Sequence, residues 1–177
     1  MEESLKQYAG ESEKESRQEH EGVAGTGRRE KGQEEYIEKI SGLLRLSAVD
    51  IRTYSPLTLA YIGDGVYDLA VRTVLVNQGN CRPHKIHLHC SRLVRASAQA
   101  KVLELFEKDG ILTEKEQAVC RRGCNAKPAT MAKNATADDY KKATGFEALI
   151  GHLYLTGQIE RMLTLIRRSL DILEQQK

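Results

Sequence analysis

No stretch of about 18 consecutive apolar residues occurs in this chain, so no membrane-spanning helix is expected. The first residues, MEESLKQ, are charged and polar where a secretory signal would need an apolar segment. Four cysteines in 177 residues, without an export signal, favour reduced thiols over a disulfide framework. These absences predict a protein of the cytoplasm, with enough residues for one ordinary domain.

Charge is distributed unevenly along the chain. Residues 1–35 contain ten Glu against six Lys or Arg, a net charge of −4, which leaves +6 for residues 36–177. The acidic segment has almost nothing apolar to bury, so ordering it would cost entropy without return. We therefore predict a disordered N-terminal extension over residues 1–35 and one folded domain over residues 36–177.

The folded part has helical periodicity, and no segment shows the strict alternation of a half-buried strand. Ser55 followed by Pro56 is a strong helix start, and the segment from Leu57 to Val76 is apolar almost all round, which is typical of a buried helix. An all-α domain is predicted. Its other helices should begin near Tyr36, cover residues 83–107 in two pieces, and cover residues 113–122, 137–155 and 159–173, with a loop over residues 123–138.

Three acids lie inside apolar helices. Asp64 and Asp68 are four residues apart in one helix, and Glu147 lies in another. Because an unpaired buried carboxylate costs several kcal/mol, such residues usually have a cation nearby. Two carboxylates converging from different helices would suit Mg²⁺ or Mn²⁺. An ion pair with an arginine such as Arg72 is the competing interpretation, and the pattern alone leaves both open.

Two segments carry a resemblance to a known family. The sequences AYIGDGVYD (residues 60–68) and FEALIG (residues 146–151) resemble the two helical motifs of ribonuclease III catalytic domains. The stretch RGCNAK (residues 122–127), followed by Lys133 and Asn134, is similar to the Mini-ribonuclease III group, which lacks a double-stranded-RNA-binding domain. The resemblance covers about residues 54–160 and implies a ribonuclease III-like helical endonuclease fold.

The resemblance also implies a function and a site. Asp64 and Glu147 match the catalytic metal-binding acids, with at least one Mg²⁺ expected and Mn²⁺ as a substitute. The implied activity is hydrolysis of double-stranded RNA to 5′-phosphate and 3′-hydroxyl ends by a homodimer that matures large-subunit (23S) ribosomal RNA precursors. Full-length relatives carry further acids where this chain has Ala60 and Thr144, so the number of metal ions stays open.

Basic residues before Glu147 are the expected RNA contacts. In a flexible loop they could follow the phosphates of an A-form duplex, so recognition should depend on shape and backbone. A solvated loop that binds nothing is the alternative. The predicted RNA-binding residues are Arg121, Arg122, Asn125, Lys127 and Lys133.

Two other classes of function are weighed against the nuclease. One is a non-catalytic RNA-binding or ribosome-associated module on the same fold. The other is a helical adaptor with a zinc clip, for which the Cys and His spacing is poor because it is not CxxC. The lone His152 is expected to be a packed helical residue. The candidate zinc ligands are Cys81, His84, His87, His89, Cys90, Cys120 and Cys124.

Overall fold

The structure is a computed structural model that describes residues 39–47, 49–127 and 136–175. The predicted N-terminal extension and Lys133 lie outside these residues. Within the described ranges the chain forms α-helices and one 3-10 helix and no strand, which confirms the all-α prediction. No helix in this part of the chain is both long and apolar enough to cross a bilayer.

Six α-helices follow a 3-10 helix at Ile51–Thr53. Residues 39–43 are helical as well, but Leu43 and Leu44 are 82% and 66% exposed, so these two leucines do not pack against the described part of the chain. The six helices are α1 (Pro56–Asn77), α2 (Pro83–Val94), α3 (Ala96–Lys108), α4 (Glu114–Cys124), α5 (Ala137–Leu155) and α6 (Ile159–Glu174).

Helices α1 and α4 begin where the sequence predicts, because side chains cap their free N–H groups. The Ser55 hydroxyl accepts from the Thr58 N–H at 3.0 Å, and Pro56 is the first residue of α1. Thr113 and Glu116 form a capping box at the start of α4. Each such cap stabilises a helix by about 1 kcal/mol. The helix starts predicted from Ser55 and Thr113 are thus confirmed.

Helix α5 lies at the centre of the fold and packs against α1, α3 and α4. Its Phe146, Leu149, Ile150 and Leu153 side chains are almost completely buried. The Phe146 ring meets the Tyr67 ring of α1 edge to face, with centroids 5.1 Å apart. The core is therefore organised around the helix that carries Glu147.

Two glycines allow the backbones of α1 and α5 to touch. A Cβ atom at Gly63 would lie 1.8 Å from the Glu147 carbonyl oxygen, and one at Gly151 would lie 2.0 Å from the Leu59 carbonyl oxygen. No other residue type fits at either position without moving a helix. The close packing at Gly63 places Asp64 beside the backbone of Glu147.

The prediction that α1 is buried all round is wrong. Its outer face is open, with Tyr61 84%, Leu69 64% and Val76 62% exposed. The reason is that α5 and its neighbours cover only one side of the helix. An apolar groove of about 580 Å³ between α1 and α6 runs along the open side, and its lining includes Leu69, Val74 and Leu163.

Candidate active site

Asp64 and Glu147 come together where α1 and α5 touch. Gly63, whose missing side chain admits the Glu147 carbonyl oxygen, is the residue immediately before Asp64. The two carboxyl groups are close enough that the charge of Asp64 raises the pKa of Glu147. The structure therefore brings together the two acids that the sequence predicts, one from each helix.

Burial and like charge both act on these carboxyl groups. The pKa of Glu147 is raised to about 8, first by burial and then by Asp64, while the nearby Gln99 amide opposes the rise. Asp64 is an exposed residue, yet partial burial of its carboxyl raises its pKa, with a further contribution from Asp68. A divalent cation between the two groups would remove the penalty of ionising both.

Arginine neutralises a different acid. The Arg72 guanidinium lies 2.6 Å from the Asp68 carboxylate, which also accepts a hydrogen bond from the Cys90 thiol at 3.4 Å. Neither Asp64 nor Glu147 has an ion pair within the described ranges. The arginine interpretation therefore holds for Asp68 alone.

The donor set fits a hard cation that keeps part of its water shell. Ala60 and Thr144, which are not acids, are each 5% exposed, and Thr144 donates to the Tyr140 carbonyl at 2.9 Å. In the part of the chain that the structure describes, no three His, Cys, Asp or Glu side chains cluster to hold a metal ion. Two carboxylates plus water suit Mg²⁺. The zinc hypothesis gains no support there.

A basic groove of about 730 Å³ lies where the start of α1, at residues 55–57, meets the end of α4. Arg122 donates to the Tyr54 carbonyl at 3.4 Å, and its charge adds to burial in lowering the pKa of His152 on α5. His152 is half-buried, as predicted, and follows Glu147 by five residues on that helix. Four of the five predicted RNA-binding residues line this groove: Arg121, Arg122, Asn125 and Lys127.

Comparison with known proteins shows the family of this chain. A family model described as "Ribonuclease III domain" matches residues 57–158, more than half of the chain. The chain belongs to the ribonuclease III family. It is 45% identical over 122 residues to the Mini-ribonuclease 3 of Symbiobacterium thermophilum, a match that covers 69% of this chain and 92% of that relative. To the Mini-ribonuclease 3 of Enterococcus faecalis it is 42% identical over 117 residues, covering 66% and 89%.

A solved structure supports the same fold. The crystal structure of a Fusobacterium nucleatum protein matches this ribonuclease III domain with a TM-score of 0.63 at 29% identity. The match covers 70% of this chain and 98% of that chain. The ribonuclease III-like helical fold predicted from the motifs is thus confirmed.

Sequence reasoning missed two residues of this ribonuclease III domain. Gln99 of α3 is 1% exposed and acts on Glu147, yet in the sequence it stands among small residues that carry no sign of a site. Gly151 is the counterpart of Gly63 in the contact between helices. Its signal was available, because a glycine inside an apolar helix lowers helix stability by about 1 kcal/mol and so needs a packing reason.

Proposed function

We propose that this protein is a Mg²⁺-dependent endoribonuclease that cuts double-stranded RNA, with Mn²⁺ as a substitute metal. The observation that carries the proposal is the convergence of Asp64 and Glu147 from two helices, without an arginine, at a contact between backbones. Membership in the ribonuclease III family supports the same reaction. Asp64 and Glu147 are the proposed catalytic residues.

The two carboxylates would hold the metal between them. When bound, Mg²⁺ polarises the scissile phosphate and makes a hydroxide nucleophile available near neutral pH. The chain's own part is to present carboxylate oxygens from two helices whose spacing the backbone fixes. Burial keeps the Glu147 pKa near 8, so its ionised form depends on a compensating cation. Hydrolysis with a 3′-oxygen leaving group gives the 5′-phosphate and 3′-hydroxyl ends that we propose.

The basic groove is the proposed RNA contact. Arg121, Arg122 and Lys127 line it, and it adjoins the helix that carries Glu147. Cations at this place can bind phosphates of one strand and orient that strand across the two acids. Recognition would depend on the shape of the A-form duplex, whose deep major groove hides base identity. A precursor of large-subunit ribosomal RNA is our proposed substrate, an assignment that rests on the sequence resemblance alone.

We propose a homodimer built on the apolar groove. Leu69 is 64% and Leu163 is 42% exposed there, and a contiguous apolar surface of this kind usually marks an interaction site. Gly65, one residue after Asp64, also lines the groove, so a second copy seated on it would lie next to the catalytic acids. Two such sites around a two-fold axis could each cut one strand of the same duplex.

Cleavage by carboxylate variants tests the proposal. Asp64→Asn and Glu147→Gln should each lower the cleavage rate of a labelled RNA duplex in Mg²⁺ by about 10²-fold or more, because metal catalysis supplies several kcal/mol. Asp68→Asn is the matched control, since its carboxylate is paired with Arg72. It should cut within about tenfold of wild type, as expected of an exposed ion pair. Wild-type rates for both site variants would overturn the assignment.

A non-catalytic RNA-binding or ribosome-associated module is the second candidate. It is favoured by Ala60 and Thr144, which carry no carboxylate, so that among the described residues no third acid joins Asp64 and Glu147 in a metal-binding cluster. The same assay separates the candidates, because this one predicts that the wild type binds the duplex and never cuts it. If the wild type cuts single-stranded RNA as fast as double-stranded RNA, the proposed specificity for duplexes is contradicted.

A further inference from the structure

One buried polar side chain stands apart from the others. Glu116 pairs with Arg161 at 2.8 Å, Thr144 donates to the Tyr140 carbonyl, and Ser169 bonds to Tyr67. Gln99 is 1% exposed, yet within the described residues neither of its amide atoms completes a hydrogen bond of ordinary length and angle. Burying an unsatisfied amide costs about 1–3 kcal/mol, so an apolar residue would stabilise this position better.

The packing of α3 against α5 shows what Gln99 faces. The helices run antiparallel, since Glu104 pairs with Lys142 at 2.6 Å and the Leu103 side chain lies 3.2 Å from the Cβ position of Gly145. A residue one turn earlier on α3 therefore lies opposite a residue further along α5. This register puts Gln99 next to Glu147. The Gln99 amide is thereby within reach of the Glu147 carboxyl.

We propose that Gln99 is a positioning residue whose amide N–H holds one oxygen of the Glu147 carboxylate, leaving the other to face Asp64 and a divalent cation. The inference rests on the proposed function of that site. It explains why a buried amide is kept there, because an ionised carboxylate is a stronger acceptor than a neutral one. Fixing the orientation of a carboxylate that ligates a metal strengthens metal binding.

A volume-matched apolar replacement separates positioning from structure. In Gln99→Met the side chain keeps its length and loses its amide group. Because the unsatisfied amide is removed, the melting temperature in EDTA should stay the same or rise. Mn²⁺ binding to the full-length protein, measured by isothermal titration calorimetry, should weaken about tenfold, as is usual when the hydrogen-bond partner of a metal ligand is removed. Duplex cleavage should need correspondingly more Mg²⁺ to reach its half-maximal rate.

Leu103→Met is the matched control, because Leu103 is buried on the same helix and lies against Gly145. It should bind Mn²⁺ as wild type does. Gln99→Leu repeats the test if Gln99→Met does not fold. Wild-type Mn²⁺ affinity in the folded Gln99 variants would overturn the positioning role while leaving the nuclease intact. If Asp64→Asn binds Mn²⁺ as tightly as the wild type does, the metal site itself is overturned.

Discussion

At the scale of single residues, Glu147 is a proposed catalytic residue whose ionised form lowers the stability of the folded chain. Its pKa of about 8 lies well above its ordinary 4.5, because burial and the charge of Asp64 disfavour the carboxylate. Between these two pH values the folded chain holds a proton that the unfolded chain has released. Stability should therefore fall as pH rises through that window, and the loss should be complete above it.

The pH dependence gives a direct test without RNA. In EDTA, Glu147→Gln should be more stable than wild type at about pH 8.5, by on the order of 5 kcal/mol, and nearly equal to it at about pH 4.5. Thermal denaturation at both pH values measures the difference. Mg²⁺ should raise the wild-type melting temperature at the higher pH and affect the variant much less.

Glu174→Gln, exposed at the end of α6, is the control substitution for that series. A Glu147→Gln variant that gains nothing at the higher pH would show that the carboxyl is not desolvated. Its unfolding would then report only the loss of a surface charge.

The residue-scale part of the site was predictable only where a charge breaks an apolar pattern. Asp64 and Glu147 stand out in the sequence because each interrupts an apolar helix. Gln99 does not stand out, because an uncharged amide between alanines is compatible with any helix face. The role of Gln99 depends on which residues of α5 lie opposite it, and the hydrophobic periodicity of the sequence does not predict that register.

At the scale of elements, the start of α1 and the end of α4 form the basic groove together. Replacing Arg121, Arg122 and Lys127 with Ala should weaken duplex binding and reduce its salt dependence. The slope of log K against log salt should become shallower by about one for each phosphate that no longer has a cation beside it. Fluorescence anisotropy of a labelled RNA duplex at several salt concentrations measures both effects.

Lys115→Ala is the control for the groove, since Lys115 is exposed at the opposite end of α4. It should leave the salt slope close to that of wild type. An unchanged slope in the triple variant would remove the groove from the RNA interface, even if cleavage still occurred.

Helix starts were predictable because capping is local. Each capping group bonds or precedes residues within one turn of the helix start. These groups are the Ser55 hydroxyl with Pro56, and the pair of Thr113 and Glu116. The exposed face of α1 was not predictable. An apolar residue such as Leu69 has the same periodicity whether its own chain covers it or another molecule does.

At the scale of the whole molecule, the apolar groove between α1 and α6 determines the expected oligomeric state. Leu69→Glu and Leu163→Glu each place a charge in the proposed interface, so both variants should be monomeric at concentrations where the wild type is dimeric. Sedimentation equilibrium measures the state, and duplex cleavage should fall with it. Leu88→Glu is the control, because Leu88 is 53% exposed on α2, away from this groove. A monomeric wild type would contradict the homodimer.

The contact of Gly63 with the Glu147 carbonyl has a thermodynamic consequence for the candidate site. The two helices touch through main-chain atoms, which have no rotamers. A ligand therefore loses no side-chain conformational entropy in setting the distance between the helices. The entropy cost of bringing the acids together is thus incurred once, when the polypeptide folds. A substrate that arrives afterwards meets a preorganised pair, and its own binding free energy remains available for chemistry.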